Sequence, residues 1–169
     1  MKSLRITLSL FLLLAATAAL SQTAAQKSFD QLKSLTGSWE GKNAQGVPLQ
    51  VTFRDTAAGS ALMSEIHGHG PENMISMIHM DGPNRLVMTH YCSAGNQPRM
   101  AANASPDGKT ITFDFFDATN LATPDAGHMQ RVVMVVIDAN HHTEDWNFND
   151  HGKEMKEFFD LHRSEVAQK

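Results

Sequence analysis

One short stretch of the chain concentrates the side chains that could do chemistry. Residues 90–100 read His-Tyr-Cys-Ser-Ala-Gly-Asn-Gln-Pro-Arg-Met and lie between two strand-like runs. Side chains two residues apart in a strand point to the same face, so His90 and Cys92 are expected to be neighbours. A nearby histidine can activate a thiol as a nucleophile, but a lone cysteine is more commonly a buried apolar side chain. We therefore predict that Cys92 lines a ligand cavity, with thiol chemistry as the alternative.

Other side chains of this stretch could hold the polar end of a ligand. Arg99 can bind a carboxylate or phosphate through two parallel hydrogen bonds, or it can pair with Asp114 or Asp117 on a neighbouring strand. Pro98 indicates the start of a strand or the rim of a barrel. His128 is predicted either to face the same opening or to be a hydrogen-bonded rim residue. The predicted ligand-binding residues are Met88, His90, Tyr91, Cys92, Asn96, Arg99, Phe115 and His128, and no residue is predicted to be catalytic.

Two histidine clusters have residue types that could bind a metal. His67-Gly68-His69 and His141-His142 lie in turn-like segments that contain Gly or Asn. A zinc site needs three or four ligands that converge from a structured frame, so no metal site is predicted. All methionines except Met1 lie in strand-like segments. Because thioethers adapt to ligands of varied shape, we expect an apolar cavity, with a wholly filled core as the alternative.

The first residues have the order of a cleavable secretory signal. Met1–Arg5 carry two basic residues, Ile6–Leu20 are almost wholly apolar, and small residues follow. The apolar run is shorter than the ~20 residues that span a bilayer as a helix. We predict a signal peptide over residues 1–21 and one domain over residues 22–169. The protein would then be periplasmic or secreted, with no stable membrane insertion after cleavage; a retained anchor is the alternative.

The charge of the remaining chain argues against binding of nucleic acid. Loss of Lys2 and Arg5 from the 14 basic residues leaves 12 against 18 acidic ones, a net charge of −6. Phosphate backbones are bound by clustered Lys and Arg, and the chain has no basic run. Cys92 is the single cysteine, so the domain must be held by packing rather than by disulfides.

Hydrophobic spacing predicts one short helix followed by strands. Phe29, Leu32 and Leu35 recur at helical spacing and predict a helix over Ser28–Leu35. From there the apolar residues alternate with polar ones, and turn sequences separate about ten such runs. Short sequential strands with one apolar face predict an all-β fold, with an antiparallel up-and-down barrel as the predicted form and a sandwich as the alternative. A barrel of this size has room for one small ligand. The segment Asn120–Gly127 is predicted to be a long connection or a lid over the rim.

The sequence Gly37-Ser38-Trp39-Glu40-Gly41, directly after the predicted helix, resembles the opening signature of lipocalin-like (calycin) barrels. The resemblance implies that the Trp closes the base of the barrel and that an Arg near the last strand packs over it. Arg163 stands where that Arg is expected. Gly37, Trp39 and Arg163 are therefore expected to be structural.

More closely, the chain resembles a family of uncharacterised exported bacterial proteins with one lipocalin-like domain. Nitrobindin-type haem barrels are a more distant likeness, but no haem-ligating motif matches, so the cofactor stays unknown. The predicted function is carriage or sequestration of a small apolar or amphipathic molecule. The alternatives are an enzyme that uses His90 and Cys92 or His128, and a haem-binding barrel. The segments that carry the closer resemblance are residues 37–41, 59–63, 89–92, 96–100, 112–115 and 127–129.

Overall fold

The computed structural model describes residues 22–68 and 73–164 of the chain. The predicted signal peptide and His69 lie outside these ranges. No helix within them has the length and apolarity to cross a membrane. The elements are α1 (Ala24–Lys33), β1 (Gly37–Asn43), β2 (Pro48–Thr56), β3 (Ala61–His67), β4 (Met74–Met80), β5 (Leu86–Tyr91), β6 (Gln97–Ala104), β7 (Thr110–Thr119), β8 (His128–Asp138), β9 (His141–Asp150) and β10 (Lys153–Arg163), with a short 3-10 turn at Ala57–Gly59.

The ten strands form one closed antiparallel barrel in which each strand pairs with its neighbours in sequence. The pairing of β1 with β10 completes the closure. The predicted fold, an antiparallel barrel of about ten strands with a short N-terminal helix, is confirmed. Because side chains alternate along a strand, each strand has one face inside the barrel and one outside. Inward residues such as Val51, Phe53, Ile78 and Phe113 are fully buried and form a continuous core.

The helix begins earlier than its apolar spacing predicts. Thr23 caps α1, and its hydroxyl oxygen accepts a hydrogen bond of 3.2 Å from the Gln26 backbone N–H. The predicted range Ser28–Leu35 was wrong at both ends. Apolar spacing marks only the buried face, which contains Phe29 and Leu32, whereas the first turn of the helix contains mostly small and polar residues. The Thr23 hydroxyl also donates to the Pro83 carbonyl between β4 and β5, which joins α1 to that end of the barrel.

Trp39 and Arg163 form the contact that the resemblance implies. They are paired across β1 and β10, and the guanidinium carbon lies 4.3 Å from the centroid of the buried indole. The Arg163 side chain donates to the carbonyls of Ser34, Thr36 and Ala139 at 2.9–3.0 Å. Gly37 has a φ of +130°, and a Cβ there would lie 2.8 Å from an Arg163 nitrogen. A larger residue at position 37 would be strained by this φ and would displace the Arg163 side chain.

Removal of the Arg163 side chain should destabilise the whole barrel. Arg163→Ala leaves three carbonyls without their donor and uncovers Trp39, so we expect the free energy of unfolding to fall by about 2–3 kcal/mol in urea denaturation. Arg131→Ala is the matched control, because Arg131 makes an ion pair with Asp114 between largely exposed side chains. That change should alter the free energy of unfolding by less than about 1 kcal/mol. Equal losses in the two variants would contradict a structural role for Arg163.

Candidate functional site

A cavity of about 460 Å³ lies at the end of the barrel opposite α1. The ends of β3 and β5 and the starts of β4, β8 and β10 meet there, with the middle of β9 forming part of the wall. Its lining is mainly thioether, aromatic and aliphatic, and it includes the predicted site residue Cys92. The lining residues are Ile66, Met74, Cys92, Ser93, Ala94, Met129, Trp146, Phe148, Met155, Lys156, Glu157 and Phe159.

Glu157 is the acidic residue in the lining of this apolar cavity. It has the same inward phase on β10 as the buried Phe159 and Leu161, and it is paired with Trp146 on β9. Its Oε1 atom is buried, and no side chain or backbone group among the described residues hydrogen-bonds to it. A buried polar atom without a partner costs free energy, more so when it belongs to a charged group. The cavity lining therefore includes an acceptor without a partner among the described residues.

A layer of polar side chains lies below the cavity, inside the barrel. Ser64, Ser76 and His90 are directly paired on β3, β4 and β5, and all three are buried. His90 Nδ1 lies 2.9 Å from the Ser76 hydroxyl, and the His90 ring lies 5.0 Å from that of Trp146. Burial lowers the pKa of His90 from its ordinary 6.5 to about 4. The imidazole is therefore neutral at physiological pH and supports Trp146 from below.

A second polar group lies deeper, on the inward face of β9. Glu144 accepts a 2.8 Å hydrogen bond from Trp146 Nε1, and its other oxygen lies 3.2 Å from His142 Nε2. His142 packs edge-on against Trp39, with ring centroids 4.3 Å apart. Both members of the His142–Glu144 pair are fully buried. Removing one partner of a buried pair would leave the other buried without a partner, which is costly. The pair therefore holds these β9 side chains in fixed positions.

The geometry around Cys92 does not favour a nucleophilic thiol. Burial is the main cause of a pKa raised above the usual value for a thiol, and hydrogen bonds from Ala94 and Ser93 lower it only in part. A reactive cysteine needs the opposite shift. His90, which the sequence places beside Cys92, makes its hydrogen bond to Ser76 instead.

The remaining predicted site residues divide between the rim, the core and the outer surface. Tyr91 is half exposed on the outside. Arg99 also lies outside, where its Nε is 2.5 Å from Asp117 and its Nη2 bonds to the same carboxylate. Met88 is buried in the core. None of these three lines the cavity.

His128 and Asn96 lie at the rim and are held by nearby loops. His128 Nδ1 lies 2.7 Å from the Ala126 carbonyl and its Nε2 lies 3.1 Å from Gln130, so both ring nitrogens have partners. The ring packs on Phe115 at 4.4 Å. Asn96 donates to the Gly127 carbonyl at 2.8 Å. The connection between β7 and β8 is thereby attached to the loop before β6.

The sequence analysis missed the polar residues that face inward. Ser64, Ser76, Glu144 and Glu157 occupy the same alternating phase as buried apolar neighbours, for example Leu62 and Ile66 on either side of Ser64. A polar residue at a strand position where the alternation predicts an apolar one was the signal that could have found them. The predicted site was based on the local density of polar groups in residues 90–100, but the alternation of the strand turns part of that set outward.

Protonation of His90 should destabilise the fold on acidification. Because its pKa is lower in the folded protein, the unfolded chain binds the proton first as the pH falls, and stability is lost from about pH 6.5 downward. Between pH 7 and about pH 5 the loss should reach about 2 kcal/mol. His90→Gln should lack this component, and urea denaturation of both proteins at several pH values measures the difference. Parallel pH profiles would show that His90 does not titrate in this way.

Comparison with models of known protein families gives no match, and comparison with curated proteins gives none either. Among solved structures, the chain is similar to the crystal structure of Rv2717c from M. tuberculosis. The two align with a TM-score of 0.55 and 14% sequence identity, over 81% of this chain and 97% of that one. At this level of identity the likeness extends to the fold alone: this chain and the mycobacterial protein share a barrel.

Proposed function

We propose that this protein is an exported carrier or sequestering protein. It would bind one small amphipathic molecule in the cavity at the end of the barrel opposite α1. A single observation carries the proposal. The cavity has a mainly apolar lining that includes Glu157, whose buried Oε1 has no partner within residues 22–68 and 73–164. Apolar pockets with a few well-placed polar groups are the usual form of small-molecule sites.

The apolar body of the ligand would contact thioethers and aromatic rings. Met74, Met129 and Met155 supply flexible side chains that adapt to ligands of different shape. Trp146 and Phe148 supply rigid walls, and the position of Trp146 is fixed by its hydrogen bond to Glu144. Burial of a ligand here would remove apolar surface from water on both sides, which is the main source of affinity in such cavities.

The polar end of the ligand would be a hydrogen-bond donor, and an ammonium group fits best. Glu157 presents an acceptor, and a charge-assisted bond is stronger than a neutral one. The aromatic rings of the lining, Trp146, Phe148 and Phe159, can also attract a cation. Lys156 also borders the cavity, but its side chain is 66% exposed and its Nζ lies 4.0 Å from Glu154. An anionic head group could therefore pair only with Lys156, whose side chain is largely exposed to water.

The contacts around Cys92 support binding without turnover better than they support thiol chemistry. The raised pKa of Cys92 keeps the thiol protonated, and the nearest predicted base is occupied by Ser76. Both ring nitrogens of His128 also have partners. His90 Nε2 has no partner among the described residues, but its ring is buried and packed against Trp146, so these contacts do not supply the enzyme alternative with a base paired to the thiol.

Export belongs to the same proposal and rests on the order of basic, apolar and small residues in the first 21 positions. Mass spectrometry of the protein recovered from outside the cytoplasm tests it. A chain that begins at or near Gln22 is expected. A chain that retains Met1–Ser21 would contradict cleavage.

Amphiphiles with the same tail and different heads should distinguish the ligand class. We expect the mature chain to bind decylamine at least about tenfold more tightly than decanol or decanoate in calorimetric titration, because a charge-assisted bond contributes about 1.5–3 kcal/mol. Glu157→Gln should remove that preference. Glu154→Gln is the matched control, since Glu154 lies on the same strand outside the cavity lining and its side chain is 62% exposed.

Three results would count against the proposal. Failure of all three amphiphiles to bind would argue against a carrier cavity, and preference for decanoate would argue against Glu157 as the contact to the head. Binding of haemin, seen as a shifted Soret band, without amphiphile binding would favour the haem-binding alternative. Native mass spectrometry of protein gently purified from its own host, followed by organic extraction, would identify a resident molecule directly.

A further inference from the structure

A second group of ligand-forming side chains lies on the outside of the barrel, away from the cavity. His141 is the first residue of β9, and it is directly paired with His162 near the end of β10. Asp160 lies two residues before His162 and therefore on the same outer face. The three side chains come from two adjacent, hydrogen-bonded strands rather than from a loop.

The donor atoms of this group converge. His141 Nε2 lies 2.7 Å from Asp160 Oδ1, and His162 Nε2 lies 3.6 Å from the same oxygen. The two imidazole rings are stacked, with centroids 4.3 Å apart and an angle of 18° between their planes. One ligand atom from each residue lies within 4.8 Å of the others. Ligand atoms around a tetrahedral zinc ion are about 3.3 Å apart, given bonds of about 2.0–2.1 Å.

We propose that His141, Asp160 and His162 form a surface site for one divalent transition-metal ion of the Zn²⁺ class. Two imidazole nitrogens and one carboxylate oxygen are a donor set that suits such ions better than Mg²⁺ or Ca²⁺, because those two ions take oxygen ligands. Three protein ligands leave at least one coordination position for water or for a group of another molecule. The site is independent of the amphiphile cavity, because it lies on the opposite face of the strands.

The surroundings of the group are mixed in charge. Glu40 on β1 is paired with His162, and its carboxylate accepts hydrogen bonds from Gln50 and Ser164 at 3.3 and 3.0 Å. Lys42, also on β1, is paired with Asp160 and opposes a cation there. The Glu40 carboxylate adds negative charge on the side of His162, so the two nearest charges of β1 have opposite signs.

One member of this group, His141, belongs to a histidine pair that the sequence brings to attention. The sequence predicts no metal site at His141 and His142, because a histidine pair in a turn-like segment lacks converging partners. In the barrel these two residues face opposite sides of β9, and His142 is fully buried. The partners of His141 come from the neighbouring strand, about 20 positions later in the chain, and no local spacing shows them.

Calorimetric titration of the tag-free mature chain with ZnCl₂, after treatment with a chelator, tests the site. We expect one ion per chain, no comparable binding of MgCl₂, and affinity weakened at least about tenfold in His162→Ala and in Asp160→Asn. His151→Ala is the matched control, because His151 is also an exposed histidine beside an aspartate, at 2.8 Å from Asp150. It should bind zinc as the original chain does.

Two outcomes would overturn the proposal. One is the absence of zinc binding by the original chain. The other is equal affinity in the original chain and in both site variants, which would locate any bound zinc elsewhere. Circular dichroism verifies that the variants keep the barrel. We expect them to do so because the side chains of Asp160 and His162 are largely exposed.

Discussion

Closure of the barrel by the pairing of β1 with β10 is the constraint on which the other features depend. A closed sheet has no free edge, and every strand then has one inner and one outer face. Trp39 and Arg163 occupy paired positions in this closing ladder. The ladder therefore also stacks the guanidinium on the indole, and the hydrogen bonds of Arg163 to Ser34 and Thr36 connect the closing strands to the chain that leaves α1.

Much of the fold could be predicted from the sequence, because alternation of apolar residues is a local property. The site could be predicted only in part. Tyr91 lies between His90 and Cys92, so the alternation that makes those two neighbours sends Tyr91 outward. The meeting of Cys92 with Trp146 and Glu157 could not be predicted in the same way, because it depends on closure, which brings β5 to the same end as β9 and β10.

The polar groups inside the barrel differ in what satisfies them. Ser76 is satisfied by His90, and Glu144 by Trp146 and His142, so these groups specify how the interior packs. His90 Nε2 and His142 Nδ1 lack partners among the described residues, but each lies on a ring packed against other rings. Glu157 differs from both because it is a residue of the cavity lining and its buried Oε1 has no partner among the described residues. An acceptor that borders a cavity can be satisfied by a ligand, whereas one enclosed by packed rings cannot.

The adjacent residues His141 and His142 demonstrate how strongly position in a strand decides chemistry. They have the same side chain and neighbouring places in β9, yet His142 is enclosed against Trp39 while His141 faces solvent beside Asp160 and His162. The inner histidine is enclosed by packed rings, and so it serves packing. The outer one is partly exposed, and Asp160 and His162 bring two further ligand atoms close to it, which is the convergence that metal coordination requires. One strand thus contributes to the packed interior with one face and to a candidate ion site with the other.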